Sequence, residues 1–393
     1  MNAATPFVHE SALMRAVLRS GASSDLVREL DALDIRRPLL LTGHRGAAGA
    51  GFARMRRALG DRPAVVCNDV PPHSSVDLVE SLAAQARQAD VDGLIAVGGG
   101  SVSDTAKAVA LLIAEGGRLA DHASTYTRGQ GVRSPLLMSP KLPIVAIPTT
   151  ASGAEATPSL GIRASDGTKL LFRDPRLSCR LILIDPEFNL ETPASVMLGT
   201  GMNGLAHCLE GLYSTVRSPI STALALHGIR SFGHALPAVV AQPESVAARA
   251  ALLEAAHLSG LVLIDARTCL HHAICHVIGA RTGAAHGDAN AVLLPWTIAF
   301  NATAAAPALA QAERLLDSSG PMLADDEAAR RLGARLAALQ KTTGVPRRLR
   351  DIGVERSVLP AIASQTLHER GLHYNPRPVD RATDVLELLE AAW

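Results

Sequence analysis

Aromatic residues are scarce: Phe, Trp and Tyr make up 3% of the 393 residues. A core short of rings must be built from Ala, Leu, Val and Ile, which suits a helix-rich α/β enzyme and argues against an all-β protein. An excess of one charge is lacking too. With 38 Lys and Arg against 37 Asp and Glu the net charge is +1. Nothing there attracts nucleic acid or an anionic membrane, so a small molecule is the expected partner. The five cysteines, Cys67, Cys179, Cys208, Cys269 and Cys275, are odd in number, widely spaced and without a C-x-x-C pair. That argues against a disulfide framework or a cysteine-based zinc site. No apolar run approaches bilayer length, and the opening segment MNAATPFVHESALMR holds no apolar signal core. A cytoplasmic protein is expected.

What is present is alternation. Residues 25–34 have helical spacing and RPLLLT after them reads as a buried strand. GFARMRRALG (helix), PAVVC (strand), SSVDLVESLAAQARQAD (helix with a Ser cap) and GLIAV (strand) repeat the pattern. Such alternation predicts parallel strands joined by helical crossovers. LPIVAIP and LILIDP continue the strand series, with a hairpin-containing insert over 158–177 between them. Beyond Asp185-Pro186 only Ala- and Leu-rich helical stretches follow. The predicted organisation is an α/β nucleotide-binding domain with a parallel sheet over 1–187 and an all-helical domain over 188–393.

Gly98, Gly99, Gly100 and Ser101 lie between a strand and a helix. Glycines there let backbone approach a pyrophosphate, and the helix N-terminus favours its charge, although a plain tight turn accounts for them equally well. Thr149, Thr150 and Ser152 offer hydroxyls at the end of another strand, where ligands collect in open α/β sheets. After the strand ending at Thr42 an adenine-ribose acid is missing; Gly43 holds that place, with His44 and Arg45 next. This pattern leans toward NADPH over NADH.

The richest stretch runs from Gly199 to Pro295. If helical, Asn203 and His207 share one face at i,i+4, as do His272 and His276, and His286 follows the second helix. Three imidazoles with an oxygen ligand suit a catalytic divalent metal such as Fe or Zn, yet here the oxygen is a neutral amide where a carboxylate binds better. His271 points elsewhere and reads as structural. Glu210, Asp265 and Asp288 could support the histidines, with solvated or capping roles as the default. Lys107 and Lys169 could meet phosphate or carboxylate, with a surface position as the default.

Taken together, GGGSVSDTAK at 98–107, IPTTASGAEATP at 147–158, IDPEFNLETPA at 184–194, GMNGLAHCLEGLY at 201–213, HHAICHVIGARTGAAHGDANAVLLP at 271–295 and YNPRPV at 374–379 resemble the iron-containing (group III) alcohol dehydrogenase superfamily. The resemblance spans nearly the whole chain. It implies a dehydroquinate synthase-like architecture, an interdomain cleft where NAD(P)H meets the substrate, and a homodimer. Met202-Asn203 with His207, His271-His272 with Cys275-His276, and FRDPRL at 172–177 look most like the maleylacetate reductase branch, which serves aromatic catabolism. Asp104 and HGDANAVLLP look more like metal-dependent alcohol dehydrogenases.

Carried over, the metal positions fall on Asn203, His207, His272 and His286, and Asp104 joins the nucleotide-binding set. The implied chemistry is hydride transfer to an electron-poor keto or enone acid. His207, His272 and His286 would stabilise the developing charge, with or without a metal, and His276 or a water would deliver the proton. Lys169, Arg173, Arg176 and Arg377 are candidates for substrate carboxylates, since Arg forks match carboxylate geometry, with a solvated surface role as the equal alternative for each. The alternatives are a metal-dependent dehydrogenase of small alcohols and a dehydroquinate synthase-like lyase or cyclase.

Overall fold

The computed structural model describes residues 7, 9, 13–127, 129–317, 320 and 322–393. The expected absence of an N-terminal signal core falls largely on residues outside that set. The strands are β1 (Arg15–Leu18), β2 (Pro38–Thr42), β3 (Val65–Cys67), β4 (Gly93–Gly98), β5 (Thr125–Thr127), β6 (Gly131–Arg133), β7 (Ile144–Pro148), β8 (Ser159–Arg163), β9 (Lys169–Arg173) and β10 (Leu181–Ile184). Six of them form one parallel sheet in the order β1-β10-β7-β4-β2-β3. β2, β7 and β10 are buried along their whole length, as unbroken apolar runs in a sheet covered on both faces should be. β1 and the short hairpin β5–β6 escape the sequence pattern, because they are brief and largely exposed and so carry no apolar run. β8 and β9 pair antiparallel as the expected hairpin insert.

Strand order decides where a ligand belongs. From β2 the chain steps outward to β3, then returns to place β4 on the other side of β2 and continues through β7 to β10. The order therefore reverses between β2 and β4. In such sheets ligands bind in the crevice beyond the carboxyl ends of the strands at that reversal. Gly43 follows β2 and the glycine turn follows β4.

After β10 the chain is helical, with long helices at Ala194–Tyr213, Pro219–Ala241, Val246–Asp265, Leu270–Thr282, His286–Asn301 and Asp325–Thr343. One of them corrects the expectation that no apolar run approaches bilayer length. Val246–Asp265 spans 20 residues with mean hydropathy 1.4. Its fully buried Arg249 donates to Asn189 Oδ1 and to the carbonyls of Thr192 and Pro243, and half of it is covered by neighbouring helices, so it serves as a core helix. The loop after β7 locks onto this helix. Gly153, at φ +67°, and Gly260 lie so close that a Cβ on either would stand 2.3 Å from a carbonyl oxygen of the other segment.

Candidate active site

A cleft of about 1130 Å³ runs from the carboxyl ends of β2 and β4 to the histidine-bearing helices. At the sheet end it is bordered by Gly43, Arg45, Gly98, Gly99, Gly100, Ser101, Asp104, Thr149, Thr150 and Ser152. The helix Gly100–Glu115 starts there with Gly99 in extended conformation at its N-cap, so its first N–H groups face the crevice without intrahelical partners. A side chain at Gly99 would meet Thr150 at 2.8 Å, and one at Gly43 would meet the Val70 carbonyl at 3.2 Å. Backbone, therefore, can come close to a phosphate, and the turn fits a dinucleotide. Asp69, overlooked in the sequence because it follows β3 and not β2, also borders this mouth.

The helix Ala194–Tyr213 carries Asn203 and His207, Leu270–Thr282 carries His272 and His276, and His286 opens the next helix. All five line the cleft. His272 is central: its ring centroid lies 4.7 Å from that of His207, 5.9 Å from His286 and 6.1 Å from His276. His276 stacks on His286 at 5.8 Å and 18°. Glu210, whose default reading was solvated or capping, is instead fully buried. Its carboxyl sits 2.6 Å from His272 Nδ1 and accepts from the His271 backbone N–H at 2.8 Å. This leaves His272 Nε2 facing Asn203 Oδ1 at 3.0 Å. The His271 ring turns away to Asn290 and Thr297.

Burial governs the charges. It holds His207, His276 and His286 well below the usual imidazole range, His271 at about 4 and His272 at about 3. It lifts Glu210 to about 7, and with His272 neutral the contact is a hydrogen bond rather than an ion pair. A stability consequence follows. Each histidine takes up its proton near 6.5 when unfolded and lower when folded. The stabilisation they give is complete above that value and lost as pH falls, at about 1.4 kcal/mol per pH unit for each. Glu210 and Glu369, raised to about 7, oppose this between their unfolded value of 4.5 and 7. His73 and His257 are lowered as well, and Asp104, Glu155 and Asp288 raised, so histidines still outnumber carboxyls by seven to five, and thermal unfolding measured from pH 6.5 to 5 is expected to show a falling Tm. A flat or rising Tm contradicts neutral burial.

The donor set can be judged on its chemistry. His207 Nδ1 is buried without a hydrogen-bond partner among the described residues, as a ring nitrogen reserved for a ligand would be. Yet the four expected metal donors, Asn203, His207, His272 and His286, are all neutral. Among the described residues no three His, Cys, Asp or Glu side chains converge as a metal-holding group. With no anion among them they would hold a dication less tightly than a set that includes a carboxylate.

Three of the four expected carboxylate partners lie elsewhere. Arg173 donates to the Ile264 carbonyl at 3.0 Å, and Arg377 donates to the Phe300 carbonyl at 2.9 Å with its guanidinium over the Phe300 ring, so neither borders the cleft. Arg176 is held by Asp174 and the carbonyls of Leu137 and Met138. Lys107 is not a surface lysine: fully buried, it donates to the carbonyls of Ala154 and Thr157 at 2.6 Å. Lys169 does reach the cleft from β9, close enough to Asp104 to be stabilised by it and to disfavour protonation of His272, His276 and His286. Beside it stands Arg370, which no motif flagged because it comes from a short 3-10 turn at Arg370–Tyr374. Its neighbour Glu369 lies 3.5 Å from His276 Nδ1.

This geometry can be set beside known proteins. A family model for iron-containing alcohol dehydrogenase matches residues 14–186, and one for the C-terminal part of the Fe-containing alcohol dehydrogenase family matches 197–393. A maleylacetate reductase of Burkholderia cepacia is 32% identical over 98% of this chain and 97% of its own length. An NAD-dependent methanol dehydrogenase of Bacillus methanolicus is 30% identical over 82% of this chain and 81% of its own. The crystal structure of maleylacetate reductase from Rhizobium sp. strain MTP-10005 superposes with a TM-score of 0.80 at 30% identity, covering 99% of this chain and 98% of that one. Both halves of the chain and their two-domain fold thus agree, and the protein, an oxidoreductase, belongs to the iron-containing alcohol dehydrogenase family.

Proposed function

We propose that the chain uses NAD(P)H to reduce an electron-poor keto or enone acid, maleylacetate or a close chemical relative. The observation that carries this reading is a charge imbalance in the cleft. Lys169 and Arg370 face it with Asp104, while the imidazoles are neutral and Glu369 is pushed by burial to about 7. A substrate carboxylate supplies the missing negative charge and fixes the reacting carbon against the histidines. A bound reduced nicotinamide supplies the hydride. The glycine turn holds the pyrophosphate, and Thr149, Thr150 and Ser152 offer hydroxyls beside it. His207, His272 and His286 stabilise the oxygen that gains charge, and His276 stands where it can protonate that oxygen or the adjacent carbon.

At the nucleotide mouth Arg45 attracts a 2′-phosphate and Asp69 repels one. The lean toward NADPH rests on Arg45 and on the absence of an acid after β2. The test is a spectrophotometric screen of NADH and NADPH oxidation against maleylacetate, other keto acids and small aldehydes, with and without chelator. Turnover of a keto acid that survives chelation is expected, and kcat/KM should favour NADPH. Activity on aldehydes alone, lost with chelator, would favour the second reading, a metal-dependent alcohol dehydrogenase. That reading draws support from the methanol dehydrogenase relative and from the sequence after His286.

A further inference from the structure

His73 enters the cleft from the loop between β3 and the helix Val76–Gln88, outside both the glycine turn and the histidine-bearing segments. Its backbone is left-handed, at φ +54°. A residue with a side chain holds that conformation at a cost of about 1–2 kcal/mol, so its surroundings must impose it. Pro71 and Pro72 stiffen the approach, the Val70 N–H donates to the Thr42 carbonyl at 3.1 Å, and the Arg163 N–H donates to the Ser74 carbonyl at 2.9 Å.

Held there, His73 faces two ways. Its backbone N–H donates to Ser101 Oγ at 3.2 Å, in the first turn of the helix that follows the glycine turn. A hydroxyl that accepts from His73 keeps its own hydrogen for a phosphate oxygen. On the other side, ring Nε2 lies 3.2 Å from the Ala284 carbonyl, two residues before His286. A carbonyl only accepts, so Nε2 carries the hydrogen of that bond. The ring also lies on Gly279, in the helix that carries His272 and His276: a Cβ at Gly279 would stand 3.2 Å from His73 Cε1. One residue therefore joins the nucleotide turn to both segments that bring these histidines.

Resting on the reading that a nicotinamide nucleotide binds in this cleft, we propose that His73 is a positioning residue that couples the glycine turn to His286. It acts through Ala284 and transfers neither proton nor hydride itself. A pyrophosphate that fixes Ser101 also fixes the His73 backbone, and the ring passes that order to the segment ahead of His286. Nicotinamide and histidines are thereby held at one spacing. Hydride transfer depends steeply on it, since a misplacement of about 1 Å costs about 100-fold in rate.

The experiment compares wild type, His73→Gly and His73→Gln. Glycine takes φ +54° without strain and keeps the N–H to Ser101, so only the ring is lost. Glutamine extends an amide N–H to about the reach of Nε2. The first readout is hydrogen–deuterium exchange with saturating ADP, which carries a diphosphate but no nicotinamide ring. ADP should slow exchange over residues 98–102 in all three proteins, and over 283–288 in wild type and His73→Gln but not in His73→Gly. The second is turnover on the best substrate of the screen, keto acid or aldehyde. There His73→Gly should lose about 10- to 100-fold in kcat, with a larger primary isotope effect from 4-deuterated NAD(P)H, and His73→Gln should recover most of it. A merely structural role would lower the Tm of His73→Gly and leave both readouts as in wild type. Should His73→Gly fail to fold, Gly279→Ala, which crowds the ring from the far side, takes its place with the same expectation. Protection of 283–288 that is absent from wild type, or that persists in His73→Gly, overturns the coupling while the reductase reading stands. Turnover of aldehydes alone overturns the keto-acid reading, and the exchange pattern still decides the coupling. Failure of ADP to bind overturns both.

Discussion

Replacing His276 with alanine is expected to lower kcat by about 10²- to 10⁴-fold, the usual contribution of a positioned proton donor, while affinity for NAD(P)H stays within about twofold. The expectation comes from position: His276 is half-buried, lines the cleft, and lies one helical turn from His272 on the same helix face. The glycine turn, at the other end of the cleft, carries the nucleotide, so removing the imidazole should leave nucleotide binding alone. Stopped-flow measurement of a single turnover separates the chemical step from product release. A variant whose single-turnover rate matches wild type would show that the proton comes from elsewhere, most simply a water occupying the imidazole's place.

Asn203→Asp should convert a weak metal site into a stronger one. The change adds an anion to a set of neutral donors and alters no volume. Affinity for Fe²⁺ or Zn²⁺ should rise by roughly tenfold to a hundredfold, the range by which even indirect partners of metal ligands act. Isothermal titration with Zn²⁺ and metal analysis after dialysis would record it. The same substitution places a carboxylate 3.0 Å from His272 Nε2, so it should also raise the imidazole's affinity for a proton when no metal is present. Equal metal affinity in both proteins would mean that the histidines do not converge on a common centre. The Asn would then be a hydrogen-bond partner of His272 and nothing more.

Much of this was readable in the sequence, for definite reasons. Strands covered on both faces appear as unbroken apolar runs, which made β2, β4, β7 and β10 visible. Helical spacing alone places Asn203 with His207 and His272 with His276. What escaped has a common cause. Glu369, Arg370 and Asp69 belong to no periodic pattern; Arg370 and Asp69 reach the cleft, and Glu369 reaches His276, through tertiary contacts between segments far apart in the chain. Arg173 and Arg377 erred in the opposite way, since a guanidinium that suits a carboxylate suits a backbone carbonyl or an aromatic face as well. Lys107 shows the limit of default surface assignments: three backbone carbonyls and a hydroxyl surround its ammonium and make burial tolerable.

The contact between Gly153 and Gly260 bears on spacing. Here backbone meets backbone with no intervening side chain, and no rotamer exists to give way. The loop after β7 and the helix Val246–Asp265 are thus held at a fixed spacing close to Thr150 and Ser152 at the nucleotide end. A methyl group at either glycine would push the two segments apart and carry those hydroxyls away from the glycine turn.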